Sequence, residues 1–252
     1  ELEAYYIKAM NFEKTEKMQL LLPSGDEKYY SFWIRDVAMM AQSGLVSNSD
    51  LKRYVEVVAS CGQNGENTVF LKNELVIPPF AVADHINYDG KAVFFPGTYS
   101  ANDDQGDGSY GFFPPFCDNF YFIIMVCQYI KQSKDHQILQ KEYGGLTLLT
   151  RIEKAFACYN IDDSTGLCIS DAKKHTVDWG FVDSVKKSGK LLMASILRYN
   201  AGVLLFEVLD GIGKKEKCKI LVFYSRLRRR SERVPLELFL YSGADRRGRC
   251  RC

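Results

Sequence analysis

Histidine and tryptophan are scarce in this chain of 252 residues, with 3 and 2 copies, and none of its 8 cysteines forms a C-x-x-C pair. His85, His136 and His175 have no metal-ligand spacing, and His136 reads as a surface residue. Zinc sites and small disulfide frameworks need tighter, repeated spacing, so no metal or cofactor is expected. A G-x-S-x-G elbow, a Walker A loop and a dinucleotide glycine fingerprint are all missing, which argues against those hydrolase, nucleotide and redox chemistries. A large excess of one sign of charge is missing too. A net charge of +2 gives no reason to expect nucleic acid or an acidic partner. The longest apolar run, Phe120 to Cys127, falls far short of the ~20 residues of a membrane span, so no membrane partner is expected. No initiating Met and no leader open the chain, and the expectation is a segment processed or cut from something longer. Cys127 and Cys158 lie in apolar helical stretches as small hydrophobes, which slightly favours a reducing, cytoplasmic setting.

Aromatic residues are plentiful at 13%. Helical periodicity dominates. Helices are expected over Leu2–Phe12, Phe32–Ser43, Leu51–Ser60, Asn73–Asn87, Asp118–Gln132, Leu146–Tyr159 and Leu191–Leu209. Asn48, Ser49 and Asp50 are candidate caps for the third, and Pro78-Pro79 must kink the fourth or start it late. Asp118–Gln132 is apolar nearly all round, as in a helix buried between others. Residues 94–117 form one long Gly- and Pro-bearing stretch whose flanking rings suggest a packed lid. Strand alternation is weak, although short pairs within loops are compatible with the pattern. An all-α array of helical hairpins is the expected fold class.

The end of the chain changes character. Residues 1–225 carry 20 Lys and 4 Arg, whereas residues 226–252 carry no Lys and 9 Arg. A basic interaction tail is one reading, and an altered reading frame or fusion scar is the other.

Three acidic-aromatic islands carry the chemistry: Trp33-Ile34-Arg35-Asp36, Asp118-Asn119-Phe120-Tyr121-Phe122, and Asp178-Trp179-Gly180-Phe181-Val182-Asp183. Rings stack on the apolar faces of sugars, and carboxylates accept hydroxyl hydrogen bonds or exchange a proton with a glycosidic oxygen. Each island also has a structural reading. Asp36 can serve the helix dipole with Trp33 as packing, Asp118 can cap its helix, and Asp178 with Gly180 can hold a turn. Asp103-Asp104-Gln105-Gly106-Asp107-Gly108 mimics the start of a calcium loop, but Pro114 stands where the bidentate glutamate belongs, so a polar loop tip is expected.

Read in order, the islands resemble the six-hairpin, or (α/α)6-toroid, glycoside hydrolases, above all the amylo-α-1,6-glucosidase domain of glycogen-debranching enzymes and the glucoamylases. Trp33-Ile34-Arg35-Asp36 with Met39-Met40 resembles the W-x-R-D segment that holds the terminal sugar. Asp118 to Ile123 is similar to the D-x-x-x-W-F-I segment, with Tyr121-Phe122 in place of Trp-Phe. Asp163 to Leu167 resembles the D-x-x-G-L turn. Trp179 to Asp183, Gly189-Lys190 and Arg198-Tyr199-Asn200-Ala201 resemble W-x-D…G-K…W-Y-N-A, with two extra residues before Asp183.

The resemblance implies a partial toroid over residues 1–212, incomplete at its C-terminus, followed by an aberrant or non-native basic tail over 213–252. It implies an inverting hydrolase of a terminal glucoside-like sugar in an oligosaccharide or glycoside substrate. Asp183 would be the general acid, with Asp178 as the other candidate, and the general base would be missing. Trp33, Arg35, Asp36, Asp118 and Trp179 would bind substrate. The alternative is a non-catalytic carbohydrate-binding or scaffold module. About seven helices are legible where such a toroid has twelve. The expected outcome for the purified 252-residue chain is therefore association or poor solubility with no hydrolysis above background, checked by size-exclusion chromatography and a sugar-release assay. A monomer that melts cooperatively and releases sugar would overturn it.

Overall fold

The computed structural model describes residues 20–21, 31–157, 160–177 and 187–214. The expected helix over Leu2–Phe12 and the tail beyond residue 214 lie outside the described residues. Among the described residues there are five α-helices: α1 (Ile34–Ala41), α2 (Asn48–Val57), α3 (Phe116–Ser133), α4 (Leu148–Ala157) and α5 (Leu192–Gly211). Nine two-residue strands accompany them: β1 (Phe32–Trp33), β2 (Val69–Phe70), β3 (Val76–Ile77), β4 (His85–Ile86), β5 (Ala92–Val93), β6 (Glu142–Tyr143), β7 (Leu146–Thr147), β8 (Ile169–Ser170) and β9 (Gly189–Lys190). They form four small antiparallel sheets, β1-β4-β5, β2-β3, β6-β7 and β8-β9.

The fold is therefore mixed α/β, and the all-α expectation, with the partial (α/α)6 toroid drawn from it, is corrected. The largest departure falls at Asn73–Asn87. Pro78 and Pro79 supply no amide donors there, and β-branched Val76, Ile77, Val82 and Ile86 favour extended backbone. That stretch forms a single 3-10 turn at Lys72–Glu74, then β3, then β4. Asp89 and Gly90 turn β4 back along β5, with Gly90 at φ 86°. Such a turn between β-branched residues is a hairpin signal.

Other boundaries shift by a few residues. Phe32 and Trp33 belong to β1, so α1 starts two residues later than expected, at Ile34. The α2 cap is Ser47, whose hydroxyl accepts from the Asp50 amide at 3.1 Å, in place of Asn48, Ser49 or Asp50. Leu146 and Thr147 pair as β7 before α4 begins.

Helix α3 is the centre of the molecule. Of its 18 residues, every one from Phe116 to Cys127 is buried, along with Tyr129 and Ile130. An all-round apolar sequence leaves no face for water, so α1, α2, α4 and α5 all pack against it. Ile34, Val37, Ala38 and Ala41 give α1 one buried stripe at helical spacing. On α5, Ala194, Arg198, Ala201, Leu205 and Leu209 face inward, while Leu192, Ile196 and Tyr199 are exposed. By length and composition α5 could also cross a membrane. Burial raises the Cys127 thiol pKa, in keeping with a residue that packs and does not react.

Polar side chains in the core tie distant segments to this helix. Asn119 accepts from the Val82 amide at 2.8 Å and donates to the Ala155 carbonyl at 3.1 Å. Arg151 donates to the Tyr143 carbonyl at 2.8 Å and to Gln63 Oε1 at 3.2 Å, and Gln63 donates to the Phe80 carbonyl. Residues 111–113 run beside 175–177 through Phe112 N to His175 O and Val177 N to Phe113 O. A Cβ at Gly111 would stand 2.5 Å from the Val177 nitrogen, so only glycine admits that approach.

Asn119→Ala is expected to cost about 2 kcal/mol or more, because it leaves a buried amide and a buried carbonyl unpaired. Urea unfolding checks this. A loss below about 0.5 kcal/mol would show that the Asn119 bonds do not hold the segments.

Candidate functional site

The N-terminal ends of α1 and α3 meet beside the segment leading into β4. Strand β1 delivers Trp33, and α1 delivers Arg35 and Asp36 immediately after it. The Ile34 amide donates to the Asp84 carbonyl at 3.3 Å, and the Val82 amide donates to Asn119, next to Asp118. These bonds bring Asp36, Asp84 and Asp118 within electrostatic reach of one another and of Arg35.

The site has two levels. At the upper level, Arg35 and Asp36 are about one-third exposed, at 34% and 38% of their side chains, with Arg35 Nε 3.8 Å from Asp36 Oδ2. That separation is a Coulombic contact beyond hydrogen-bonding range. Below them, Asp118 is fully buried, and neither of its carboxyl oxygens has a hydrogen-bond partner. Asp118 was read as a possible N-cap. Pro115 occupies that position instead, and Asp118 lies inside the first turn.

Burial and crowding shift the charges. Burial pushes the Asp118 carboxyl well up, as does nearby Asp84, with Arg35 opposing and Asp36 adding to the rise. Burial also raises Asp36, and Asp84 adds to this against the pull of Arg35. Burial works against the Arg35 charge, but Asp36, Asp118, Cys117 and Asp84 outweigh it and raise its pKa.

Three rings form one wall. Trp33 and His85 are cross-strand neighbours whose rings lie 4.3 Å apart and 34° from parallel. Tyr99 meets both edge-on, at 6.3 and 5.4 Å. The His85 Nδ1 lies 2.8 Å from Asp84 Oδ2, and its Nε2 is buried without a partner.

Of the expected site residues, Trp33, Arg35, Asp36 and Asp118 come together. Asp178, Trp179 and Asp183 lie outside the described residues. Asp84, His85 and Tyr99 were missed. The misread helix over Asn73–Asn87 hid the first two, although the Asp89-Gly90 turn follows them after only Ile86, Asn87 and Tyr88. Tyr99 lay in the long loop read only as a lid.

The calcium-like stretch is a polar loop. Asp103 pairs with Lys72 at 3.3 Å, Asp104 accepts from the Ser100 hydroxyl, and Asp107 accepts from the Ser109 amide. Thr98, Asp104, Asp107, Ser109 and Tyr110 help line an open polar cleft of about 380 Å³ there. Among the described residues, no group of three or more His, Cys, Asp or Glu is arranged to hold a metal ion.

The chain matches no family model and no curated protein.

The raised Asp118 pKa has a signed consequence. Its contribution to stability is complete below the ordinary carboxyl value of 3.8 and is lost as pH rises from there through the raised folded value. Asp36 acts in the same sense. In urea unfolding between about pH 4 and pH 8, Asp118→Asn should gain on the wild type as pH rises. Parallel curves would refute the buried-acid assignment.

Proposed function

We propose that this chain is part of a glycoside hydrolase that acts on a terminal glucoside-like sugar with inversion. The observation that carries the proposal is the convergence of the Trp33-Ile34-Arg35-Asp36 segment with Asp118, from distant parts of the sequence, beside a wall of rings. A sugar presents apolar ring faces and a rim of hydroxyls, so it takes both an aromatic platform and charged hydrogen-bonding groups. The resemblance to amylo-α-1,6-glucosidase domains and glucoamylases supports the same reading.

Trp33 stacks on the sugar, Arg35 donates to its hydroxyls, and Asp36 accepts from them. Asp118 lies beneath, fully buried, and acts on the sugar only through its electrostatic coupling to Arg35 and Asp36. Asp183 protonates the leaving oxygen, with Asp178 as the other candidate, and Trp179 supplies a second wall. In an inverting reaction the base activates water from the opposite face, across roughly 6.5–9.5 Å between the two carboxyls. No residue is assigned to that base.

Titration with glucose oligosaccharides, followed by Trp fluorescence and paired with a sugar-release assay, tests the proposal. Asp36→Asn should weaken binding about tenfold, because a charged acceptor is replaced by a neutral one. In any form that turns over substrate, Asp183→Asn should cost orders of magnitude in kcat with little change in binding. Unchanged turnover would transfer the acid role to Asp178. Binding without release by a full-length form would favour a non-catalytic carbohydrate module.

A further inference from the structure

His85 is fully buried, so it cannot touch a ligand directly. Its covered position makes its chemistry unusual. A ring that served only as packing would do better as Phe or Leu, because an imidazole leaves Nε2 enclosed without a hydrogen-bond partner. What imidazole offers instead is Nδ1, which donates to the Asp84 carboxylate at 2.8 Å and so fixes the rotation of the ring.

Asp84 is itself held from two sides. Its amide donates to the Val93 carbonyl at 2.9 Å, and its own carbonyl accepts from Ile34. The order carried by β1, β4 and β5 thus passes through the Asp84 side chain to His85. It then passes to Trp33, the cross-strand neighbour against which the imidazole lies. Tyr99 closes the edge, and its carbonyl accepts from Asn87 Nδ2 at 2.6 Å, while Asn87 Oδ1 accepts from the Ser31 hydroxyl at 2.9 Å.

We propose that Asp84 and His85 are positioning residues for sugar binding: Asp84 sets the plane of the His85 imidazole, and the imidazole backs Trp33 and sets the plane on which a sugar stacks. The inference rests on the sugar-binding reading above. Neither residue contacts the sugar, and both act through Trp33. A stacked sugar loses its face contact when the platform tilts, so the pair governs affinity without supplying a hydrogen bond to the ligand.

The test measures maltose affinity of the soluble fraction of the purified chain by calorimetry, with near-UV circular dichroism as a ligand-free report on tryptophan packing. His85→Leu and Asp84→Leu should each weaken maltose binding about tenfold and change the tryptophan bands, with far-UV spectra unchanged. Asp84→Asn keeps an oxygen that accepts from Nδ1, and should hold affinity within about twofold with wild-type tryptophan bands. The double variant Asp84→Leu/His85→Leu should bind no more weakly than either single variant, because both act along one path.

Wild-type affinity in His85→Leu would overturn the proposal, as would Asp84→Asn losing as much as Asp84→Leu. If His85→Leu does not fold, the contrast between Asp84→Asn and Asp84→Leu decides alone. A wild-type chain that takes up no maltose sinks the sugar reading. The tryptophan bands of the variants then still confirm or refute the path from Asp84 to Trp33.

Discussion

The buried carboxamide of Asn119 is the constraint on which the rest of the arrangement depends. It sits in the first turn of the most buried helix and bonds the backbones of two segments far from it in sequence. Inside a protein a lost hydrogen bond has no water to replace it, so these two contacts are specified in register as well as in proximity. Fixing Val82 fixes Asp84 and His85 two and three residues on. Their strand then fixes Trp33 through β1, and the Asp84 carbonyl receives the first amide of α1. One side chain thereby decides which acids and rings face one another.

The neighbouring Asp118 is the opposite case. Apolar packing of α3 takes its carboxyl out of water, and nothing supplies hydrogen bonds in return. Together with Asp84, Asp36 and Arg35 it makes a small region where charge is crowded and poorly solvated. Such an arrangement opposes stability, and the strong apolar burial of the same helix offsets it. Crowded, desolvated carboxyls beside aromatic rings are what a site for proton exchange or polyol recognition requires. The core role of α3 and the candidate-site role of its first turn are thus two results of one burial.

How much was legible can be traced residue by residue. Helix α3 was readable because an all-round apolar run with no Gly or Pro has few alternatives. Helix α5 was readable for a similar reason, its one glycine before the last residue, Gly202, being tolerated. Asn73–Asn87 was misread because its apolar residues also fit a helical stripe over a short window. The two prolines and the Asp89-Gly90 turn outweighed that stripe once β4 found partners in β1 and β5. Strands of two residues leave almost no periodic trace. The islands at Trp33 and Asp118 were recognisable by composition, but Asp84 and His85 form no island of their own. Their importance arises only because Trp33 lies across the strand and Asp118 lies below.

By itself the sequence determined the apolar helices, the long Gly- and Pro-bearing stretch before α3, and the identity of the acid-and-ring segments. These follow from local pattern and from backbone chemistry, which each stretch carries wherever it sits. Tertiary structure alone decided that α1, β4 and α3 meet at their ends. It also decided that one carboxyl of the cluster is sealed from water while another stays at the surface, and that a histidine stands behind a tryptophan. Those outcomes depend on long-range burial and on a few buried hydrogen bonds. Their energy is set by the dielectric and the neighbours of the assembled core, and no local window of sequence contains either.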